Sequence, residues 1–225
     1  MCTHIVYAFA GLDETSIISQ DTGVDFDQGY YKGVTDLRAK GKKVMLALGG
    51  WIDSGKSFKY SNMVNDPSKR ASFITNTVRY LKENNFDGLE IDWEYPVCWQ
   101  VGHVICCWHL NQRIIRMERN EFIFTFFQMD CSSGKPEDRE GFSALVTEMG
   151  RAMSYEGLIL SVAVSASSEV IDRAYDIQAI SDNADFVSVM AYDYNGHWDK
   201  MTGHIAPLYM HPTDTDPTLN IVSLF

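Results

Sequence analysis

Glu90, Asp92 and Glu94 recur at every second position inside the run Phe86-Asp87-Gly88-Leu89-Glu90-Ile91-Asp92-Trp93-Glu94-Tyr95-Pro96. On a β-strand that spacing puts all three carboxylates on one face and Leu89, Ile91 and Trp93 on the other. Neighbouring members would stand about 6.6–7 Å apart. Like charges crowded in this way resist ionisation, so at least one pKa is expected to rise. A carboxylic acid kept protonated near neutral pH can donate a proton. Aspartate and glutamate are poor strand formers, so stability alone does not explain the run. Taken by itself, the spacing also fits a solvated edge strand with an acidic outer face.

The run resembles the signature Asp-Gly-x-Asp-x-Asp-x-Glu of family 18 glycoside hydrolases, the chitinases and their chitinase-like lectin relatives. Asp87, Gly88, Asp92 and Glu94 match, as do Trp93 to Pro96; Glu90 stands where the family has Asp, with the same charge and one more methylene. The resemblance implies that Glu94 is the general acid on the glycosidic oxygen. Asp92 is expected to hydrogen-bond Glu94 and then turn to the substrate's N-acetyl group, whose oxygen would be the nucleophile, with Glu90 tuning Asp92. Rules based on carboxylate separation do not apply to this substrate-assisted class. Asp87 and Gly88 are expected to be structural, with Asp87 supporting the inner carboxylates from the start of the strand.

Two further segments carry the resemblance. Met190-Ala191-Tyr192-Asp193 is similar to the family's Met-x-Tyr-Asp segment, so Tyr192 is expected to hydrogen-bond the acetamide and Asp193 and Met190 to meet the sugar. Gly49-Gly50-Trp51 resembles the Gly-Gly motif after the third strand. There Trp51 is expected to stack on a sugar face, and Gly50 and Tyr95 to line the cleft. An ordinary strand tyrosine and a packing tryptophan are the plainer readings of Tyr192 and Trp51.

These residues need a scaffold, and the chain supplies alternating strands and helices. Apolar runs at Thr3 to Ala10, Val44 to Leu48, Leu158 to Ala166 and Phe186 to Tyr194 read as buried strands. Phe26, Tyr30, Val34 and Leu37 fall at helical spacing, with Gly41 as the stop. Asp66-Pro67 is an N-cap and first-turn pair for a helix facing inward with Ile74, Val78 and Leu81. Phe142, Leu145, Val146, Met149 and Met153 mark another helix, and one more is expected from Asp172 to Ser181. The alternation predicts an α/β fold with a parallel sheet. The resemblance narrows this to a (β/α)8 TIM barrel, incomplete, with about strands 2–6 of 8 present. It implies that Cys2 would pair with a first strand that this chain does not contain.

At 225 residues the chain is read as one partial catalytic domain, 1–225. The balance of 30 acidic against 19 basic residues, net charge −11, argues against nucleic acid or an anionic membrane as partner and suits a neutral glycan. Met1 to Leu12 lacks a basic leader region and is not read as a signal peptide. The parent protein is expected to be secreted, and a monomer. No cofactor or metal is implied; His4, His197, His204 and His211 read as structural or rim residues.

One interval between strand starts is too long, from 86 to 158, and removing 102–129 brings it into line with the others. Back-translated, the segment ending Phe122-Ile-Phe-Thr-Phe-Phe-Gln128 permits a pyrimidine tract and an acceptor site, and Val101 or Gly102 permits a donor. It therefore reads as a translated intron, with a genuine surface loop or short helix as the alternative; sequencing the mature transcript across codons 98–131 decides. On the intron reading, His103, Cys106, Cys107, Trp108 and His109 have no function, and Cys98 and Cys131 are candidates to pair. As it stands, the insert follows the acidic strand and is expected to obstruct the cleft. The function expected of the intact domain is retaining hydrolysis of β-1,4 bonds between N-acetylglucosamine units in chitin or chito-oligosaccharides. A non-catalytic chitin-binding lectin and an inactive truncated gene product are the alternatives.

Overall fold

Val44 to Leu48 are apolar at every position, and Ile159 to Val164 at all but Ser161, a pattern that a strand carries when both faces are covered. A computed structural model of the chain describes residues 2–55, 57–105, 124–196, 199, 201–212, 214 and 216–224. Its strands are β1 (His4–Asp13), β2 (Ser16–Ser19), β3 (Lys43–Gly49), β4 (Gly88–Asp92), β5 (Trp99–Ile105), β6 (Phe124–Asp130), β7 (Ile159–Ser165) and β8 (Phe186–Met190). Six of them form one sheet in the order β2-β1-β3-β4-β7-β8, parallel except for the β1–β2 hairpin. The sheet curls far enough that His4 on β1 and Phe186 on β8 meet ring edge to ring face, with centroids 5.6 Å apart. β5 and β6 pair only with each other, as a separate antiparallel hairpin. The arrangement is an open segment of a TIM barrel.

The helices are α1 (Tyr30–Thr35), α2 (Gly50–Ser54), α3 (Ser57–Val64), α4 (Pro67–Glu83), α5 (Asp138–Glu156), α6 (Ser168–Ala174) and α7 (Ile177–Asn183). Every residue expected on the inner face of α5 is buried: Phe142, Leu145, Val146, Met149 and Met153. The carboxylate of Asp66 caps α4 by accepting from Ser68 N (2.8 Å) and Lys69 N (3.2 Å), with Pro67 in the first turn. Asp66→Ala is expected to cost about 1 kcal/mol in urea unfolding; an unchanged midpoint would mean that the helix start is fixed by something else.

Tertiary packing moves several elements from their expected places. α4 turns Arg70, Phe73, Thr77 and Leu81 inward, leaving Ile74 and Val78 on its flank, because adjacent stripes of a 3.6-residue helix are both partly apolar. The expected helix from Phe26 to Leu37 is broken at Gly29, whose φ of +75° ends one turn and starts another. The break shifts the register, so Tyr31 rather than Tyr30 is buried, its ring against Tyr7, Phe26 and Phe86. β1 is not fully buried: Ile5 to Tyr7 are half-buried and Ala8 and Phe9 exposed, because β2 covers its edge only from Ala10 onward. The strand expected to reach Tyr194 stops at Met190, and the helix expected from Asp172 is split into α6 and α7.

Cys98 and Cys131 are bonded, while Cys2 is free and exposed. Of the residues assigned to the insert, Cys106, Cys107, Trp108 and His109 lie outside the described residues, as does His197. Among the described residues no helix is long and apolar enough to cross a membrane.

Candidate active site

Parallel strands gather their C-terminal ends on one side of a barrel sheet, and in barrel enzymes the chemistry collects there. β3, β4, β7 and β8 end within this region, and their registers set the rows. Ala47 lies opposite Glu90, and Glu90 opposite Ser161. The small Ala47 leaves the Glu90 side chain room to lie across the sheet. Glu90 Oε2 accepts from the hydroxyls of Ser161 on β7 (3.0 Å) and Ser188 on β8 (2.5 Å).

One step up, Asp92 ends β4 and is 6% exposed. Its carboxyl is pushed up to about 7, first by burial and then by the charge of Glu90. Glu94 is not part of the strand; it stands two residues past it, 9% exposed, followed by a cis peptide to Tyr95. Burial pushes Glu94 up to about 7 as well, and Asp92 and Asp193 add to the rise while the Tyr95 hydroxyl opposes it. The crowding read from the sequence is therefore present, with desolvation as the larger cause. The expected hydrogen bond between Asp92 and Glu94 is not formed. Oδ1 of Asp92 is buried with no hydrogen-bond partner among the described residues, so the two acids interact through space.

The surrounding backbone is built to admit these acids. Gly49 has φ +113°, and a Cβ there would lie 2.1 Å from the Asp92 carbonyl oxygen. Ser54 accepts from Glu94 N (3.1 Å) and donates to Gly50 O (2.6 Å), fastening the acid's backbone to α2. Trp93, on the opposite face, is fully buried between Tyr60 (5.5 Å, stacked) and Phe142 (6.0 Å).

Asp87 is also buried, but at the far end of β4. Its carboxylate accepts from Val44 N (2.9 Å) and pairs with Arg38 (3.1 Å) and Lys43 (3.6 Å). It therefore pins β4 to β3 at the start of the strand that carries the inner carboxylates, and touches neither of them.

Glu94 opens into a cavity of about 510 Å³ that it shares with Tyr95, Met129, Met190, Tyr192 and Asp193. That volume is in the range of ligand sites, about 300–1,000 Å³. Tyr192 is half exposed, and its hydroxyl pKa is raised by burial and by the carboxylates of Asp92, Glu94, Asp193 and Glu90. Asp193 sits at φ +58°, a conformation that turns the chain as β8 ends. A second cavity, about 430 Å³, lies toward β1 and is lined by Tyr7, Phe9, Asp21, Gly50 and Trp51. Trp51 is 38% exposed. Sequence reasoning missed Ser54, Ser161 and Ser188: Ser161 stands at the register of Glu90 on the next strand, Ser188 lies one strand further on β8, and Ser54 ends α2, so no pattern local in the chain marks them. Among the described residues no group of His, Cys, Asp and Glu is placed to hold a metal ion.

The model of the glycosyl hydrolases family 18 matches residues 1–223. The chain is 44% identical over 217 residues to probable chitinase 10 of Drosophila melanogaster, an alignment covering 96% of this chain and 8% of that protein. It is 36% identical to probable chitinase 2 of the same fly, over 92% of this chain and 37% of that protein. Catalytic domain 2 of the Ostrinia furnacalis Group II chitinase superposes with a TM-score of 0.83 at 43% identity, over 99% of this chain and 51% of that one. A mutant of that domain in complex with penta-N-acetylchitooctaose (NAG)5 superposes at 0.81, with 42% identity, over 99% of this chain and 51% of that one. The chain thus spans about half the length of these solved domains.

Proposed function

The chain belongs to glycosyl hydrolases family 18, and on that premise we propose that it is the acid-bearing part of a chitinase, cleaving β-1,4 bonds between N-acetylglucosamine units with retention. The observation that carries the reading is the pair Asp92 and Glu94, both buried and both held near pH 7, beside a cavity of about 510 Å³. Glu94 donates its proton to the glycosidic oxygen as the bond to the sugar breaks. The substrate's acetamide oxygen closes on the anomeric carbon, and Asp92 receives the acetamide N–H. A buried carboxylate oxygen without a donor, as Oδ1 of Asp92 is, suits that role. Tyr192 directs its hydroxyl to the acetamide as charge develops. Asp193 and Met190 meet the sugar in the same cavity, and Trp51, Gly50 and Tyr95 line the cleft. Glu90, fixed by Ser161 and Ser188, tunes Asp92 by adding to the rise of its pKa.

A neutral, hydroxyl-rich glycan is an apt partner for a chain of net charge −11. The Cys98–Cys131 disulfide fits an oxidising compartment, in keeping with secretion of the parent protein. The test is turnover of a fluorogenic N-acetylglucosamine trimer by this chain and by Tyr192→Phe. The variant is expected to lose about 10- to 100-fold in kcat, with KM changed by less than about threefold. Binding without turnover in the parent chain would instead support a lectin-like protein.

A further inference from the structure

We propose that Met129 is the wall that limits the glycan cleft beyond Glu94, and that the hairpin carrying it stands outside the folding unit; the first half of this rests on the chitinase reading above. Met129 lines the same cavity as Glu94 and Tyr192, yet it comes from β6, which shares no ladder with the main sheet. Its partner across the hairpin is Gln100. The Gln100 amide donates to the carbonyls of Trp51 (2.7 Å) and Glu94 (3.5 Å). The Gln100–Met129 pair is thereby tied to both halves of the cleft rim, the tryptophan side and the acid side.

Among the described residues, the ties that fasten the hairpin to the rest of the fold lie at this pair or below it. Trp99 pairs with Asp130, and Cys98 is bonded to Cys131. Ser133 Oγ donates to Trp99 O (3.1 Å), and Trp99 Nε1 donates to the fully buried Asp138 (2.9 Å). Asp138 also accepts from Asn65 Nδ2 (2.8 Å), so the hairpin base is bolted to α5 and, through it, to the residue that follows α3. Taking out 102–129 would join Val101 to Asp130. Gln100-Val101 would then be a two-residue loop closing the Trp99–Asp130 pair, the loop length most common in hairpins. The junction keeps the ties made by Cys98, Trp99, Asp130, Cys131 and Ser133 and removes Met129. An excised intron at the same place would produce the same protein.

The test compares the full chain with Met129→Ala and with a deletion of 102–129, measuring calorimetric binding of N-acetylglucosamine trimer and hexamer and thermal unfolding. On this proposal a hexamer, the longer glycan, reaches Met129 and a trimer does not. Both variants are expected to bind hexamer about tenfold more tightly, with trimer affinity changed less than about twofold. The deletion variant is expected to unfold within about 4 °C of the parent chain. Trimer binding with an unchanged hexamer affinity would overturn the wall, and a deletion variant that does not fold would overturn the independence of the hairpin. No trimer binding by any form would overturn the chitinase reading itself, and the wall with it.

Discussion

Glu94→Gln is expected to reduce kcat on the fluorogenic trimer by about 10²–10⁴-fold while the trimer still binds within about threefold. Glutamine keeps the shape of the side chain and loses the proton. The pH dependence follows from the same group. Glu94 must be protonated to act, and it is held near 7, so kcat is expected to fall as pH rises above about 7. Asp92 is also near 7 and only a short step away, so the two titrate as a coupled pair and the limb belongs to both.

Stability carries the opposite side of the same balance. Glu94 is raised from 4.5 and Asp92 from 3.8, each to about 7 in the fold. Below the unfolded values both acids are neutral in either state, and their contribution is fully present. Between those values and 7 the folded chain holds more protons than the unfolded chain, so stability falls as pH rises and stays low above 7. Glu94→Gln cannot ionise, so at pH 8 the variant is expected to be more stable than the parent chain by about 2 kcal/mol. The two are expected to be alike at pH 4. Equal stability at both pH values would mean that Glu94 ionises without cost and is not the buried acid described here.

Gly88→Ala is expected to abolish folding, or to cost at least about 4 kcal/mol if any folded protein is recovered. A Cβ at Gly88 would lie 2.2 Å from the carbonyl oxygen of Ile159. That oxygen belongs to the strand beside it, since Gly88 and Ile159 are register partners and Ile159 N donates to Asp87 O (2.9 Å). Backbone on β7 cannot retreat without breaking the β4–β7 ladder, and that ladder sets Glu90 against Ser161. The loss is expected in circular dichroism and in soluble yield. A folded variant with parent-like stability would show that the two strands are not so close.

Much of this was legible in the sequence for a physical reason: a strand has a period of two, and Glu90 and Asp92 at that period leave few choices of face. Strand runs with few polar positions likewise left little but a parallel sheet under helices. The inner face of α5 was readable because five large apolar residues share one stripe. α4 was not, because Ile74 and Val78 compete with Phe73 and Thr77 and only contact with α3 and α5 decides between them. Tyr31 replaced Tyr30 because one glycine with positive φ reset the helix, a choice invisible to periodicity. Local patterning also missed the position of Glu94 beyond the strand and the serines that hold Glu90. Both depend on which strand lies beside which, information carried by register and not by neighbours in the chain.

If the substrate's own acetamide is the nucleophile and Glu94 the acid, the anomeric configuration is retained in the product. The most direct measurement is proton NMR of the first product formed when this chain is mixed with chitotetraose, before the anomers equilibrate. The β-anomer is expected as the initial product, and no product from Glu94→Gln. An initial α-anomer would contradict it, because inversion requires a water activated on the opposite face and leaves the acetamide no part in the chemistry.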